Sequence, residues 1–195
     1  MCRSYFNKDN RSQQMKKQDF HKFLKCLMKA MQNIDSHYFQ LHFAGNAELK
    51  YRERVYCYEL YHQLRLLLGD DFPYKLDGEL DKKSHSIILG EEKPDFVIHV
   101  PGEMEQNLVV MEVKTLVAVR GDMNKLKNDF GKLERFISEA KYYRAIMLIY
   151  GSVNGDLPQN IRQEIEKVHD EKIIILWHDS PNKKPKIIGG EKYID

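Results

Sequence analysis

The sequence predicts a mixed α/β fold in which helices cover a central β-sheet. Apolar residues recur at helical spacing in several segments, which is typical of amphipathic helices. Two Val- and Ile-rich runs, 93–100 and 108–115, flank a turn that contains Pro101-Gly102 and indicate a pair of adjacent strands. Two further runs, 145–150 and 172–177, are continuously apolar, as in strands that are buried on both faces. Because helices and strands alternate after this pair, the helices are expected to pack on one sheet.

The first two predicted helices precede the sheet. Residues 1–12 are polar and expected to be irregular, and a helix is predicted over residues 13–34. Its apolar residues are Phe20, Phe23, Leu24, Leu27, Met31 and Ile34. Its lysine-rich face could dock DNA or form a dimer interface, but we expect the helix to pack on the core. A second helix is predicted from the N-cap Asn46 to Leu68, with Gly69 as its stop.

The rest of the chain supplies the sheet and its remaining helices. Residues 74–81 alternate weakly and are expected to form a first strand, which residues 84–89 continue or pair with. Asp122 is expected to cap a third helix that ends at Lys141. The later elements are the strand 145–150, a helix from Pro158 to about His169, the strand 172–177 and an edge strand at Ile187-Ile188.

Length and composition indicate one soluble globular domain. The 195 residues are 42% hydrophobic and 31% charged. We expect an N-terminal helical extension (1–46), a core (47–177) and a C-terminal tail (178–195). No apolar run approaches the roughly 18 residues of a membrane span, and no signal peptide is evident. Three widely spaced cysteines favour a reducing, cytoplasmic setting.

Charge is distributed unevenly along the chain. Residues 1–34 contain eight Lys/Arg against two Asp, a net of +6, whereas residues 70–112 contain eleven acids against four lysines, a net of −7. A basic patch suits a phosphate backbone, and an acidic cluster repels that backbone unless a cation neutralises it. The asymmetry favours a metal-dependent enzyme that acts on nucleic acid, and solvated charge on exposed helices is the alternative.

Three charged residues interrupt the two central predicted strands: Asp95 in the first, and Glu112 and Lys114 in the second. Side chains alternate along a strand, so Glu112 and Lys114 share one face and Val113 points to the other. Because an unpaired buried charge is costly, these groups are expected to have partners. Carboxylates and an ammonium could satisfy one another, and a divalent cation would satisfy the carboxylates better.

The arrangement of Pro94-Asp95 and Glu112-Val113-Lys114 on adjacent strands, between flanking helices, resembles the PD-(D/E)XK nuclease superfamily. The resemblance covers roughly residues 47–177. It implies a restriction-endonuclease-like fold with an αβββαβ core, here with an extra N-terminal helix, and a Mg²⁺ ion for which Mn²⁺ can substitute. The implied site consists of the metal ligands Asp95, Glu112, Glu59 and the backbone carbonyl of Val113, with Lys114 as the catalytic lysine.

The position of this motif in an apolar predicted strand is more specific evidence than the residue string itself. The string [DE]xK occurs six times in the chain, but only Glu112 begins its triplet within an apolar strand, and Pro94-Asp95 is the only Pro-Asp. Glu59 flanks the apolar stripe of the second helix and is preferred to Glu53, which lies between two arginines and is expected to be solvated. The alternatives are an arginine partner for Glu59 and a structural salt bridge for Lys114.

The implied residues suit phosphodiester hydrolysis. Mg²⁺ takes hard oxygen ligands and keeps several waters, and an adjacent ammonium stabilises hydroxide and developing negative charge. The expected function is a magnesium-dependent nuclease that acts on DNA, or on RNA, in restriction, defence or repair. Asp129 and Lys132 of the third helix could contact a second-shell water or a phosphate, and Lys125 is a further candidate contact to nucleic acid.

The alternative is a catalytically inactive nuclease-fold module that binds nucleic acid or a partner protein. No GxGxxG or GxxxxGK[ST] phosphate loop is present, which argues against dinucleotide and ATP chemistry. No module that reads base sequence is evident either. Sequence specificity could therefore come from a partner protein or a homodimer, or be absent.

Overall fold

The computed structural model describes residues 3–78, 93–152 and 155–190, without the side chains of residues 3–12, 46 and 47. Helices and strands alternate through most of the described chain. The helices are α1 (Arg3–Gln32), α2 (Ser36–Phe39), α3 (Glu53–Leu68), α4 (Leu116–Gly121), α5 (Met123–Ser138) and α6 (Gln159–Ile165). The strands are β1 (Leu41–Phe43), β2 (Asn46–Lys50), β3 (Lys75–Gly78), β4 (Phe96–His99), β5 (Asn107–Thr115), β6 (Arg144–Tyr150), β7 (Ile173–His178) and β8 (Lys186–Gly189).

A six-stranded mixed sheet forms the centre of the protein, and its strands follow the chain in the order β3-β4-β5-β6-β7-β8. The first three are antiparallel neighbours. Strands β5, β6 and β7 are parallel, and β8 is antiparallel to β7. Parallel neighbours need crossover connections, which α4, α5 and α6 provide. Strands β1 and β2 form a separate two-stranded sheet.

The helices cover both faces of the large sheet. One apolar cluster joins α1, α2 and α3 to one face, and a second joins α4, α5 and α6 to the other. Alternation along β5 divides its side chains between the two clusters: Val113 packs in the first and Val110 in the second. The mixed α/β fold with flanking helices is thus confirmed.

The N-terminal half differs from the sequence prediction at two points. Helix α1 begins at Arg3, so the backbone of residues 3–12 is helical and not irregular. Asn46 does not cap a helix, because residues 46–50 form β2 and α3 begins only at Glu53. A local N-cap pattern cannot show that a strand is available to pair with this segment, as β1 does. The prediction for residues 84–89, and the end of that for 74–81, lies outside the described residues.

Several element boundaries and packing surfaces agree with the predictions. All six apolar residues predicted for the first helix are buried, so its predicted core packing is confirmed. Asp122 caps α5 by accepting a hydrogen bond from the Asn124 amide over 3.0 Å, although the helix ends at Ser138. The predicted edge strand at Ile187-Ile188 is β8. No helix in the described ranges is long and apolar enough to cross a membrane.

Candidate active site: a cluster of carboxylates and lysines

Strand β5 carries two charged side chains to the face of the sheet that α5 covers. Glu112 is only 1% exposed and Lys114 is partly buried. They lie in the C-terminal half of β5, after the apolar residues 108–111 that anchor the strand. The strand ends where Thr115 caps α4 by accepting a hydrogen bond from the Ala118 amide over 3.0 Å. Glu112 and Lys114 therefore share one face of the strand, as predicted from the alternation of side chains, and this face is largely buried.

Glu112 forms a buried ion pair with Lys132 of α5. Its Oε1 lies 2.5 Å from the Lys132 ammonium. Burial, followed by the negative charge of Asp95, raises the pKa of Glu112, and Lys132 opposes this shift. The environment of this carboxylate therefore disfavours its negative charge. A further cation nearby would stabilise that charge.

Asp95 directly precedes β4 and connects the start of this strand to the C-terminal half of β5. Its Oδ2 accepts a hydrogen bond from the Val113 amide over 2.7 Å. The preceding backbone is tied to α5, because Lys132 also donates to the Lys93 carbonyl over 2.8 Å. The Pro-Asp segment is thereby held against the Glu-Val-Lys segment, as expected from their positions on adjacent predicted strands. Val113 contacts Asp95 through its amide, whereas the ligand implied by the resemblance is its carbonyl.

Lys114 lies among three carboxylates. Its Nζ is 3.4 Å from Asp129, 3.9 Å from Glu112 and 4.0 Å from Glu53. Burial alone would lower the pKa of this ammonium, but the surrounding carboxylates, Asp129 first, outweigh burial and raise the pKa. Lys114 therefore remains positively charged in the cluster.

The helix carboxylate that approaches Lys114 is Glu53, not the predicted Glu59. Glu53 is half-buried at the start of α3 and accepts a hydrogen bond from the Thr115 amide over 3.0 Å. Burial raises the pKa of Glu53, and Lys114 counters this. Glu59 instead accepts from Gln63 over 2.7 Å, and Gln63 accepts from Asn33, which directly follows α1. The expectation that Glu53 is solvated was wrong, because the later start of α3 brings its first residue to the end of β5.

Asp129 of α5 completes the cluster. It is partly buried, unlike the nearby Lys125. Burial raises the pKa of Asp129, whereas Lys114 and Lys132 lower it. Lys125 is exposed on the same helix, outside these contacts. Helix α5 thus contributes Asp129 and Lys132 to the site. A signal for this was present in the sequence, since the two residues are three apart and share a helix face.

The cluster is rich in carboxylate oxygens. Four carboxylates surround two ammonium groups, and the buried oxygens Glu112 Oε1 and Asp129 Oδ2 lie 2.5 and 3.4 Å from the ammonium groups of Lys132 and Lys114, respectively. Such oxygens are the ligands that Mg²⁺ prefers. No three His, Cys, Asp or Glu side chains within the described ranges are already gathered as metal ligands. The lysines occupy the space between the carboxylates instead.

No family model, curated protein or solved structure matches this chain. The buried cluster on β5, β4, α3 and α5 is accordingly the basis of the functional assignment.

Proposed function

We propose that this protein is a metal-dependent phosphodiesterase that hydrolyses DNA, and that its fold is restriction-endonuclease-like, of the PD-(D/E)XK type. The observation that carries the proposal is the hydrogen bond from the Val113 amide to Asp95. This bond places one acidic side chain against the backbone between Glu112 and Lys114. The helix–meander–helix–strand order from α3 to β6 supports the same fold.

Asp95, Glu112 and Glu53 are the residues that would hold the metal ion. When bound, Mg²⁺ would supply a Lewis acid for a phosphate oxygen and lower the pKa of a water molecule. Asp129 would hold Lys114 through their 3.4 Å ion pair. Lys132 would keep Glu112 and the backbone before Asp95 in place.

Lys114 is the group best suited to act directly on the reaction. In phosphodiester hydrolysis, water adds to phosphorus, one P–O ester bond breaks and the leaving oxygen takes up a proton. Negative charge grows on the phosphoryl oxygens during this change, and a preorganised ammonium in a dry site stabilises it. The raised pKa of Lys114 keeps that ammonium charged.

A second candidate function is that of an inactive module which retains this fold and binds nucleic acid or a partner protein. The observation that favours it is the pairing of both lysines with the carboxylates, which makes the cluster a closed set of ion pairs. Against it, replacing buried ion pairs by apolar residues is often neutral or stabilising, so stability alone does not require four carboxylates here.

The test is cleavage of plasmid and single-stranded DNA in the presence of Mg²⁺ or Mn²⁺. Wild type should cleave, and Lys114→Met and Glu112→Gln should each lose at least about a hundredfold in rate, as happens when a group that stabilises transition-state charge is removed. Lys127→Met, which changes an exposed lysine of α5, is the matched control and should retain activity. Cleavage that survives both site substitutions would reject this active site, and an inactive wild type would favour the binding module.

A further inference from the structure

A cavity of about 610 Å³ lies beside the candidate active site, between α3 and the strands β3 and β4. It shares Glu53 and Asp95 with the carboxylate cluster. The other lining residues are Arg54, Cys57, Tyr58, Tyr61, Asp77, Gly78 and Phe96. Any group bound in this cavity would therefore be adjacent to Asp95, on the side that α3 borders.

Two tyrosines form the helical wall of the cavity. Tyr58 is 63% exposed and Tyr61 is 36% exposed. They are three residues apart on α3, so their rings lie on neighbouring parts of one helix face. Tyr61 also lies nearly parallel to Phe96, with 6.5 Å between the ring centroids. The wall thus offers flat aromatic surface that the folded core does not use.

The charges around the cavity limit what can enter it. Asp77 and Asp95 make the sheet side acidic, which disfavours a phosphate group there. Glu53 adds a further carboxylate on the helical side, next to Arg54, so acidic residues outnumber basic ones in the lining. An uncharged aromatic group with hydrogen-bond donors satisfies both walls, because it can stack on tyrosine and donate to a carboxylate. A nucleobase with an exocyclic amino group has this chemistry.

We propose that this cavity binds an unpaired nucleobase next to the phosphate to be cleaved, so that the preferred substrate is a single strand or an unpaired end. This inference rests on the proposed nuclease function. Bases within a duplex are stacked on each other, and extracting one costs a few kcal/mol before it can contact tyrosine. A single strand makes the same contact without that cost.

The inference is tested by binding without catalysis. Fluorescence anisotropy of labelled single-stranded DNA, single-stranded RNA and duplex DNA is measured with EDTA present, so that no cleavage occurs. Wild type should bind single strands more tightly than the duplex, and the two single strands show whether the sugar matters. Tyr58→Ala should weaken single-strand binding by about tenfold, in line with the loss of one stacked base.

Three further variants separate stacking from folding. Tyr58→Phe keeps the ring and should bind as wild type does, whereas Tyr61→Ala should weaken binding as Tyr58→Ala does. Tyr38→Ala removes a tyrosine of α2 that is about as exposed as Tyr61 and is not part of the cavity lining. This variant should leave binding unchanged. Because Tyr58 is largely exposed, its substitution is not expected to unfold the protein.

The outcomes distinguish this inference from the nuclease proposal. Equal binding of single strand and duplex, or unchanged binding in Tyr58→Ala, would overturn the nucleobase subsite even if wild type cleaves DNA. Tyrosine-dependent single-strand binding by a protein that never cleaves would support the subsite and reject the nuclease. Tyr58-dependent binding of a lysine-rich peptide, without binding of single strands, would show that the cavity takes a cation and would also overturn the inference.

Discussion

Lys132 of α5 and Glu112 of β5 form an ion pair with 2.5 Å between Nζ and Oε1, and both side chains are at most 15% exposed. The same ammonium donates to the Lys93 carbonyl, just before Asp95. One helix residue thus holds two strands that carry the proposed metal ligands. This gives Lys132 a positioning role, distinct from the direct contact with nucleic acid expected from the sequence.

Removing the Lys132 charge should destabilise the protein, because Glu112 would remain buried without its partner. Lys132→Met is expected to lower the free energy of unfolding by about 3 kcal/mol, as for other broken buried pairs. Urea unfolding followed by circular dichroism measures this change. The double variant Lys132→Met/Glu112→Gln should recover part of the loss, since the buried charge is then gone. Equal stability of Lys132→Met and the surface control Lys127→Met would show that the pair is energetically unimportant.

Divalent metal should stabilise the folded protein through the acidic cluster. At a Mn²⁺ concentration a hundred times the Kd, linkage predicts about 2.7 kcal/mol, or a rise of about 5–10 °C in Tm for a chain of this size. Thermal unfolding with and without Mn²⁺ measures the rise. Glu112→Gln and Asp95→Asn should remove most of it, and Glu134→Gln, which changes an exposed carboxylate of α5, should not. An identical rise in all four proteins would place the metal elsewhere.

Glu53 and Glu59 allow a direct comparison on one helix. Glu53→Gln should lower metal affinity or cleavage rate by about 10- to 100-fold, because Glu53 lies beside Lys114 and orients the end of β5. Glu59→Gln should leave both unchanged, because Glu59 pairs with Gln63. Isothermal titration with Mn²⁺ and a cleavage assay provide the two measurements. The reverse order of effects would restore the ligand set implied by the sequence.

His178 should make stability depend on pH below neutrality. It is fully buried, and its ring accepts or donates a hydrogen bond with the Tyr56 hydroxyl over 2.8 Å. Burial lowers the pKa of His178 from 6.5 to about 4. Between these values the unfolded chain binds a proton that the folded protein does not, so the free energy of unfolding falls as pH falls. The full loss from this residue is on the order of 3 kcal/mol by pH 4.

Urea unfolding at several pH values between 7 and 4 tests this effect. His178→Gln retains a hydrogen-bonding group beside Tyr56 but cannot titrate, so its stability should depend less steeply on pH than that of wild type. Carboxylates that titrate in the same range are common to both proteins and cancel in the comparison. Parallel pH profiles would show that His178 is protonated equally in the folded and unfolded states.

Much of the architecture could be predicted from local sequence. The helical spacing of Phe20 to Ile34 predicted a buried face, and the apolar runs around residues 145–150 and 172–177 predicted central strands, which are observed. These patterns report burial directly, since a face that packs on a core must be apolar along its length. Asn46 was misassigned because capping residues are also common next to strands and turns.

The order of residues along the chain is enough to predict that charged residues interrupt two adjacent strands and that Glu112 and Lys114 share a face. Alternation along an extended chain is sufficient for that conclusion. The groups that surround them become evident in the folded protein: Glu53 from the start of α3, and Asp129 and Lys132 from α5. Helix packing and the exact start of α3 bring together residues that are distant along the chain. Neither depends on the residues of the strands alone.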